Sequence, residues 1–327
     1  MLSRVAESLY WTARYIERAE DVTRAVDVTF HDLLEARIDH DEAAAWRRVL
    51  TMLGDEQAFA EHFDAVNAAT VGEWVLWHDA NPSAVAECVL LARENARSIR
   101  EQISGEMWEA VNRLFLLVRG ANRSSVLRGP HSFFEQLRTG AHLFQGTADA
   151  TMEQGEPYEF LQLGLHLERA EKTTRIVGTY YPAAVALEED DPARTQALIV
   201  LLKSCSAFEA YVRQHGMRLE PVEIAESLVR SAVLPRSALY CLRRCLAANE
   251  MITREPNTLN RVLGRLCAEL EYGEVVDVSG PVVARALAEL LRGINTSGEA
   301  TAKTYFANRA LPVGAIAAQE AQQQQCG

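Results

Sequence analysis

Two carboxylates three residues apart, with arginines one turn away, are the residues of this chain best placed to do chemistry. Residues 17–24 read Glu-Arg-Ala-Glu-Asp-Val-Thr-Arg, and residues 168–175 read Glu-Arg-Ala-Glu-Lys-Thr-Thr-Arg. On a helix Glu17 and Glu20 share a face. Glu20 with Arg24, and Glu171 with Arg175, are i,i+4 pairs in the favourable orientation. Arg14 reaches Glu17 and Arg18 from one turn earlier. Two chemistries follow. In the first, planar guanidiniums satisfy the carboxylates in a buried or half-buried salt-bridge lattice that holds the two long helices together. In the second, the cluster lines a polar pocket at the seam between two halves of the chain. There Glu17 or Glu20 would act as a general base, or the arginines would bind a carboxylate or phosphate. Glu17 and Glu20 are thus the catalytic candidates. Arg14, Arg18, Arg24, Glu168, Arg169, Glu171 and Arg175 are the ligand-binding candidates.

Metal chemistry asks for different spacing. Di-iron helical bundles take Glu-x-x-His from two helices. None of Glu17, Glu20, Glu168 and Glu171 has a histidine three or four residues later, and His166 precedes Glu168 by only two. No metal is expected at the repeated string. Asp27, His31 and Glu35 form a metal-capable stripe at i, i+4 and i+8, read here as a solvated face.

Arg119, Arg123 and Arg128, with His131, surround a loop whose amides feed a helix starting near Ser132. Such a loop could hold a phosphate or carboxylate, or dock on the chain's own acidic surface. The six cysteines (88, 205, 241, 245, 267 and 326) contain no Cys-x-x-Cys and read as free buried thiols of a reducing compartment. Cys241 and Cys245 lie one turn apart, but two thiols alone do not make a zinc site. No phosphate-binding glycine loop, nucleophile elbow or His-Glu-x-x-His motif is present, so no cofactor is expected.

The elements that must position these residues are helices. The two strings lie 151 residues apart in a chain of 327, the mark of an internal repeat. A weaker pair of landmarks supports it. Val85-Ala86-Glu87 precedes Arg97-Ser98, and Ile224-Ala225-Glu226 precedes Arg236-Ser237, at an offset of 139. Leu2, Val5, Leu9, Ala13, Ile16, Thr23, Val26, Phe30 and Leu33 predict one helix of about 35 residues. Further helices are predicted from Asp41 to Gly54, from Pro82 to Ser104-Gly105, from Glu106 past Val118, and from Phe133 to Gln145. Residues 120–130 read as a loop and 146–157 as the connection between copies.

The second copy is predicted to start near Glu159 and stop near Tyr181-Pro182. Its remaining helices fall at 193–215, 221–232, 235–253, 257–272 and 280–296, with Pro221, Pro235 and Pro281 as start signals. The predicted fold is all-α: a tandem duplication of a helical bundle packed about a pseudo-two-fold axis. The expected domains are 1–150, 151–310 and a flexible tail, 311–327.

A composition of 48% hydrophobic and 24% charged residues is that of a soluble globular protein. The net charge of −12 argues against a general role on nucleic acid or anionic membrane. No apolar run approaches the ~20 residues of a membrane span. The first residues enter a helical pattern with no signal-peptide character, so a cytoplasmic location is expected.

The opening Met-Leu-Ser-Arg-Val-Ala-Glu-Ser-Leu-Tyr-Trp-Thr-Ala-Arg-Tyr-Ile-Glu-Arg-Ala-Glu, the segment Ala92-Arg93-Glu94-Asn95-Ala96-Arg97-Ser98, and Gln162-Leu163-Gly164 leading to Leu167-Glu168-Arg169-Ala170 resemble the bacterial alpha-E family. The resemblance covers most of the chain. It implies a helical domain with an ER motif, usually in tandem. By genomic association it implies a peptide-synthesis or protein-modification system, with circularly permuted ATP-grasp ligases and transglutaminase-like proteins as partners. The motif falls on Glu17-Arg18 and Glu168-Arg169. Leu165-His166 stand where the first copy has Arg14-Tyr15, which makes the two sites inequivalent and favours the first for a ligand. An accessory subunit that binds the ligase or its peptide is the preferred expectation. An enzyme acting on an amide, ester or peptide is the alternative. Neither nucleic acid nor membrane is an expected partner, and the sequence is compatible with a homo-oligomer.

Overall fold

α1 (Ser3–Glu35) is the long helix that the apolar spacing predicts, but its burial is not that of a one-sided stripe. The computed structural model describes residues 1–35, 41–273 and 279–306, and every residue from Thr12 to Asp27 is buried. The buried set includes Val5, Leu9, Ala13 and Ile16, as the pattern requires. It also includes Arg14, Glu17, Arg18, Glu20, Asp21, Arg24 and Asp27, while Leu2 is exposed. A buried charge costs several kcal/mol unless it is paired and hydrogen-bonded. The helices around α1 must therefore bring polar partners as well as apolar surface.

The described residues divide into two compact units, Met1–Leu161 with Tyr305 and Phe306, and Gln162–Thr304. In the first unit α1 is followed by α2 (Glu42–Leu53), α3 (Glu56–Ala60), α4 (Ala68–Trp77), α5 (Val85–Ser98), α6 (Gly105–Arg119), α7 (Arg123–Arg128) and α8 (His131–Thr151). α1 packs most extensively on α5 and then on α8, and α6 packs on both of those helices. Trp46, Trp74, Phe59, Phe134 and Phe144 fill the core.

Local chemistry sets the boundaries. The Asp41 side chain accepts from the Ala44 N–H to start α2, and Gly54 ends it at φ 77°, a left-handed conformation that glycine takes without strain. α5 starts at Val85 rather than at Pro82, because Asn81 donates to the Trp74 carbonyl and accepts from the Ser83 N–H, holding that stretch as a turn. α7 occupies part of the predicted 120–130 loop, capped by Asn122. α8 runs on through the predicted connection to Thr151. Its buried spacing Leu137, Ala141, Phe144, Ala148 continues past Gly146.

The second unit holds α9 (Glu156–Val185) from Gln162 onward, then α10 (Pro192–Ser204), α11 (Phe208–His215), α12 (Pro221–Arg230), α13 (Ala238–Ile252), α14 (Thr258–Tyr272) and α15 (Gly280–Thr301). α13 packs on α14, α14 on α15, and α12 on α13. α9 continues through Pro182 instead of stopping there. Pro182 lies one turn from the end, so a single intrahelical donor is lost, and its carbonyl still accepts from Ala186. The predicted 193–215 helix breaks into two at Ser206, which has a φ of 52°. Pro235 lies outside α13, whose start is set by the Ser237 hydroxyl accepting from the Tyr240 N–H.

Several helix starts recur at a constant spacing along the chain. α1, α4, α5 and α6 begin at Ser3, Ala68, Val85 and Gly105, and α9, α12, α13 and α14 begin 153 residues later at Glu156, Pro221, Ala238 and Thr258. α8 and α15 begin 149 residues apart, at His131 and Gly280. The 139-residue landmark is therefore not an equivalence. Val85 to Arg97 lies in one helix, whereas Ile224 to Arg236 crosses the end of α12 and the loop beyond it.

Among the described residues no helix is long and apolar enough to cross a membrane. Cys88, Cys205, Cys241, Cys245 and Cys267 are buried free thiols. The predicted tail, 311–327, lies outside the described residues, as does Cys326.

Candidate functional site

One face of α1 carries Glu17, Glu20, Asp27 and His31, and α8 answers with a polar stripe of His131, Arg138, His142 and Gln145. Gln145 Nε2 donates to Glu17 Oε2 at 2.7 Å. Arg24 pairs with Glu20 from within α1, and His142 Nε2 lies 3.4 Å from Glu20 Oε1. Arg138 pairs with Asp27 through Oδ2. His131 Nδ1 and His31 Nδ1 lie 3.4 and 3.2 Å from the other oxygen, Oδ1. Residue numbers rise along α1 while their partners fall along α8, so the two helices run antiparallel and zip a polar ladder between them.

Glu17 and Glu20 are fully buried and Asp21 nearly so, and their carboxylates offer oxygens within 4.8 Å of one another. Three carboxylates that close repel strongly in a poorly screened interior. The Arg24 guanidinium on Glu20 and the Gln145 amide on Glu17 offset part of that repulsion. Arg14 donates to the Tyr10 hydroxyl at 2.9 Å, its guanidinium 5.4 Å from the Trp11 ring centroid. Arg18 reaches Ser83 Oγ at 3.4 Å.

The stripe read as solvated is divided. Asp27 is buried, His31 is half-buried and Glu35 is exposed, because α8 covers the Asp27 turn of α1.

The second string is chemically different. Lys172 stands where the first string has Asp21, and its Nζ lies 3.8 Å from Glu168 Oε1. Glu171 accepts from Arg175 Nε at 3.1 Å. Thr173 donates to the Arg236 carbonyl, and Arg169 is buried. The ladder has no counterpart at its far end. Gly178, 151 residues after Asp27, faces Leu287, 149 residues after Arg138; a Cβ on Gly178 would lie 4.0 Å from that of Leu287. An apolar contact thus replaces a charged pair. His166 packs against Tyr240 with its Nδ1 buried and unpartnered. Burial, then the Arg169 and Arg244 charges, holds its pKa well below 6.5.

The basic loop does not converge. Arg123 pairs with Glu73 at 2.8 Å and covers the Trp77 ring; Arg119 lies over Phe115. Arg128 reaches Ser125 Oγ at 3.5 Å. Arg123 and Arg128 are the first and last residues of α7, and His131 turns to Asp27.

Sequence reasoning also missed Arg138, His142 and Gln145. Their spacing with His131 (i, i+7, i+11, i+14) was a readable signal: a polar stripe on a helix whose other side is apolar.

An uncharacterized protein of Mycobacterium bovis and another of Mycobacterium tuberculosis are each 24% identical to this chain over 343 residues, covering 95% of it and 37% of the relative. The chain spans well under half the length of these relatives. No solved structure matches it. A family model described as "a predicted alpha-helical domain with a conserved ER motif" matches residues 1–306. With an all-helical fold and Glu17-Arg18 and Glu168-Arg169 as its two ER dipeptides, the chain belongs to the alpha-E family.

Proposed function

We propose that the chain is an accessory, binding component of an ATP-grasp-linked system for peptide synthesis or protein modification. The observation that carries this reading is the pairing of the motif carboxylates. Glu17, Glu20, Glu168 and Glu171 are all buried, and each lies against Gln145, Arg24, Lys172 or Arg175. A general base needs lone pairs that can reach a substrate proton. Each of these carboxylates has a protein donor or cation against it, which favours a scaffold over a catalyst.

The relatives support a modular role, since the match takes 37% of their length and leaves a larger segment beside it. The proposed partners are a circularly permuted ATP-grasp protein and a transglutaminase-like protein. A cytoplasmic setting fits both the ATP requirement and the five free thiols.

Co-purification of the tagged chain from its native host tests the reading, with Glu17→Gln beside the wild type. The expected result is an ATP-grasp protein bound to both, with the variant melting several degrees lower. An unchanged melting point, with loss of a chemical activity shown by the chain alone, would instead establish an enzyme.

A further inference from the structure

We propose that Asp27, His31 and His131 form a tetrahedral binding site for a divalent transition-metal ion, zinc being the best fit. The three side chains come from two helices. Asp27 and His31 are one turn apart near the C-terminal end of α1, and His131 is the first residue of α8. Each offers a ligand atom, and the three atoms lie within 4.8 Å of one another. Asp27 Oδ1 is 3.2 Å from His31 Nδ1 and 3.4 Å from His131 Nδ1.

Those two separations carry the inference. A charge-assisted hydrogen bond between imidazolium and carboxylate closes to about 2.7–2.9 Å. His131 Nδ1 is within hydrogen-bond distance of Asp27 Oδ1 at 3.4 Å, longer than such a bond at its strongest. Ligands at about 2.0–2.1 Å from a tetrahedral zinc stand about 3.3–3.4 Å from one another. An octahedral ion with the same bond lengths would bring neighbouring ligands to about 3.0 Å. The separations of 3.2 and 3.4 Å lie in the range that ligands of one ion span, and the donor set is what favours tetrahedral geometry.

The surroundings suit an ion. Asp27 is only 5% exposed, and Arg138 holds its Oδ2, which turns Oδ1 toward the two imidazoles. An outer partner that fixes a ligating carboxylate is a regular part of metal sites. The histidine side chains are 42% and 59% exposed. Their ring centroids are 4.8 Å apart, nearly edge to face, although solvent leaves each free to turn away. Two histidines and one carboxylate, open on one side, are a donor set for zinc or iron(II), with water or an outside ligand completing the shell. His31 Nδ1 also lies 2.8 Å from the Asp27 carbonyl, and to take an ion that nitrogen must lose its proton and the ring must turn away from the carbonyl. The buried Glu17-Glu20-Asp21 group is the weaker candidate, because Arg24 and Gln145 already stand on it. Nothing in the second unit repeats the site, since Gly178 and Pro182 stand 151 residues after Asp27 and His31.

The test uses the full chain, stripped with a chelator and desalted. Zinc is titrated by calorimetry, and cobalt(II) is followed by its visible absorption. The expected result is one equivalent bound at micromolar zinc, with the intense absorption of tetrahedral cobalt. His31→Ala and His131→Ala should each weaken binding by at least about tenfold, the lower end of what removing even an outer-shell partner does. Both rings are half exposed, so these variants in chelator should stay folded and melt only a few degrees below the wild type, and a lost ion cannot then be ascribed to misfolding. Absence of stoichiometric binding would overturn the proposal. So would binding that survives in the double histidine variant, or an octahedral cobalt spectrum.

Discussion

Asp27→Asn is the sharpest probe of the polar ladder, because the partners of Asp27 are defined: Arg138 on one oxygen and the two histidines on the other. The amide keeps the shape and removes the charge. Removing one partner of a fully buried ion pair costs about 3–5 kcal/mol. Here the Arg138 side chain is 20% exposed, so water recovers part of that cost. The expected loss is about 2–3 kcal/mol. At about 2–4 °C per kcal/mol for a unit of this size, the melting point should fall by about 4–12 °C.

Arg138→Met should cost less, about 1–2 kcal/mol, because Asp27 keeps two imidazoles. In a double-mutant cycle the pair should show about 1–2 kcal/mol of coupling. Leu at both positions should cost less than Asp27→Asn alone, since removing both charges leaves neither stranded. The corresponding Gly178–Leu287 contact already runs without charge. The assay is urea and thermal unfolding by circular dichroism in chelator. An Asp27→Asn variant within about 0.5 kcal/mol of wild type, or strict additivity in the cycle, would refute the reasoning.

Two further outcomes follow from single residues. His166 is held neutral in the folded chain, its pKa well below 6.5, while the unfolded chain takes up a proton as pH falls past 6.5. The unfolded state then binds more protons, so stability present above that pH is lost on acidification, by up to about 1.4 kcal/mol per pH unit. His166→Phe should flatten the melting-point profile between about pH 7 and pH 5; an identical slope would clear His166 of the effect. Gly140→Ala places a Cβ 2.5 Å from Leu114 Cδ2 where α8 crosses α6, and Leu114 is itself buried. Overpacking should outweigh a helix-propensity gain of about 1 kcal/mol and leave a net loss of about 1–2 kcal/mol. Leu114→Ala in the same chain should make the glycine substitution harmless, and a stabilised single variant would refute the close approach.

Much of the helical order was legible locally. Asp41, Ser104, Asn257 and the start prolines Pro221 and Pro281 mark ends that depend on residues within one turn. The short helices α3 and α4 were missed. α3 buries only Phe59, whereas α4 buries a near-continuous apolar run from Val71 to Trp77 without a one-sided stripe, and its start shows in the Asn67–Thr70 capping box. Pro182 misled because its effect depends on distance from the helix end, which the sequence leaves open. In the basic loop, sequence proximity does not impose a shared direction. Arg123 and Arg119 are neighbours in the chain yet turn to Trp77 and Phe115.

By itself the sequence determined the all-helical class, the two long motif-bearing helices and the inequivalence of the two strings, visible in Leu165-His166 and Lys172. These are properties of periodicity and residue type, which act over a few residues. The burial of the charges and their partners was decided only by the tertiary structure. Gln145 meets Glu17 across 128 residues of chain, and His131 meets Asp27 across 104. No local rule reaches that far. Only the antiparallel docking of α8 on α1 turns two polar stripes into one enclosed ladder, because burial is what makes pairing obligatory.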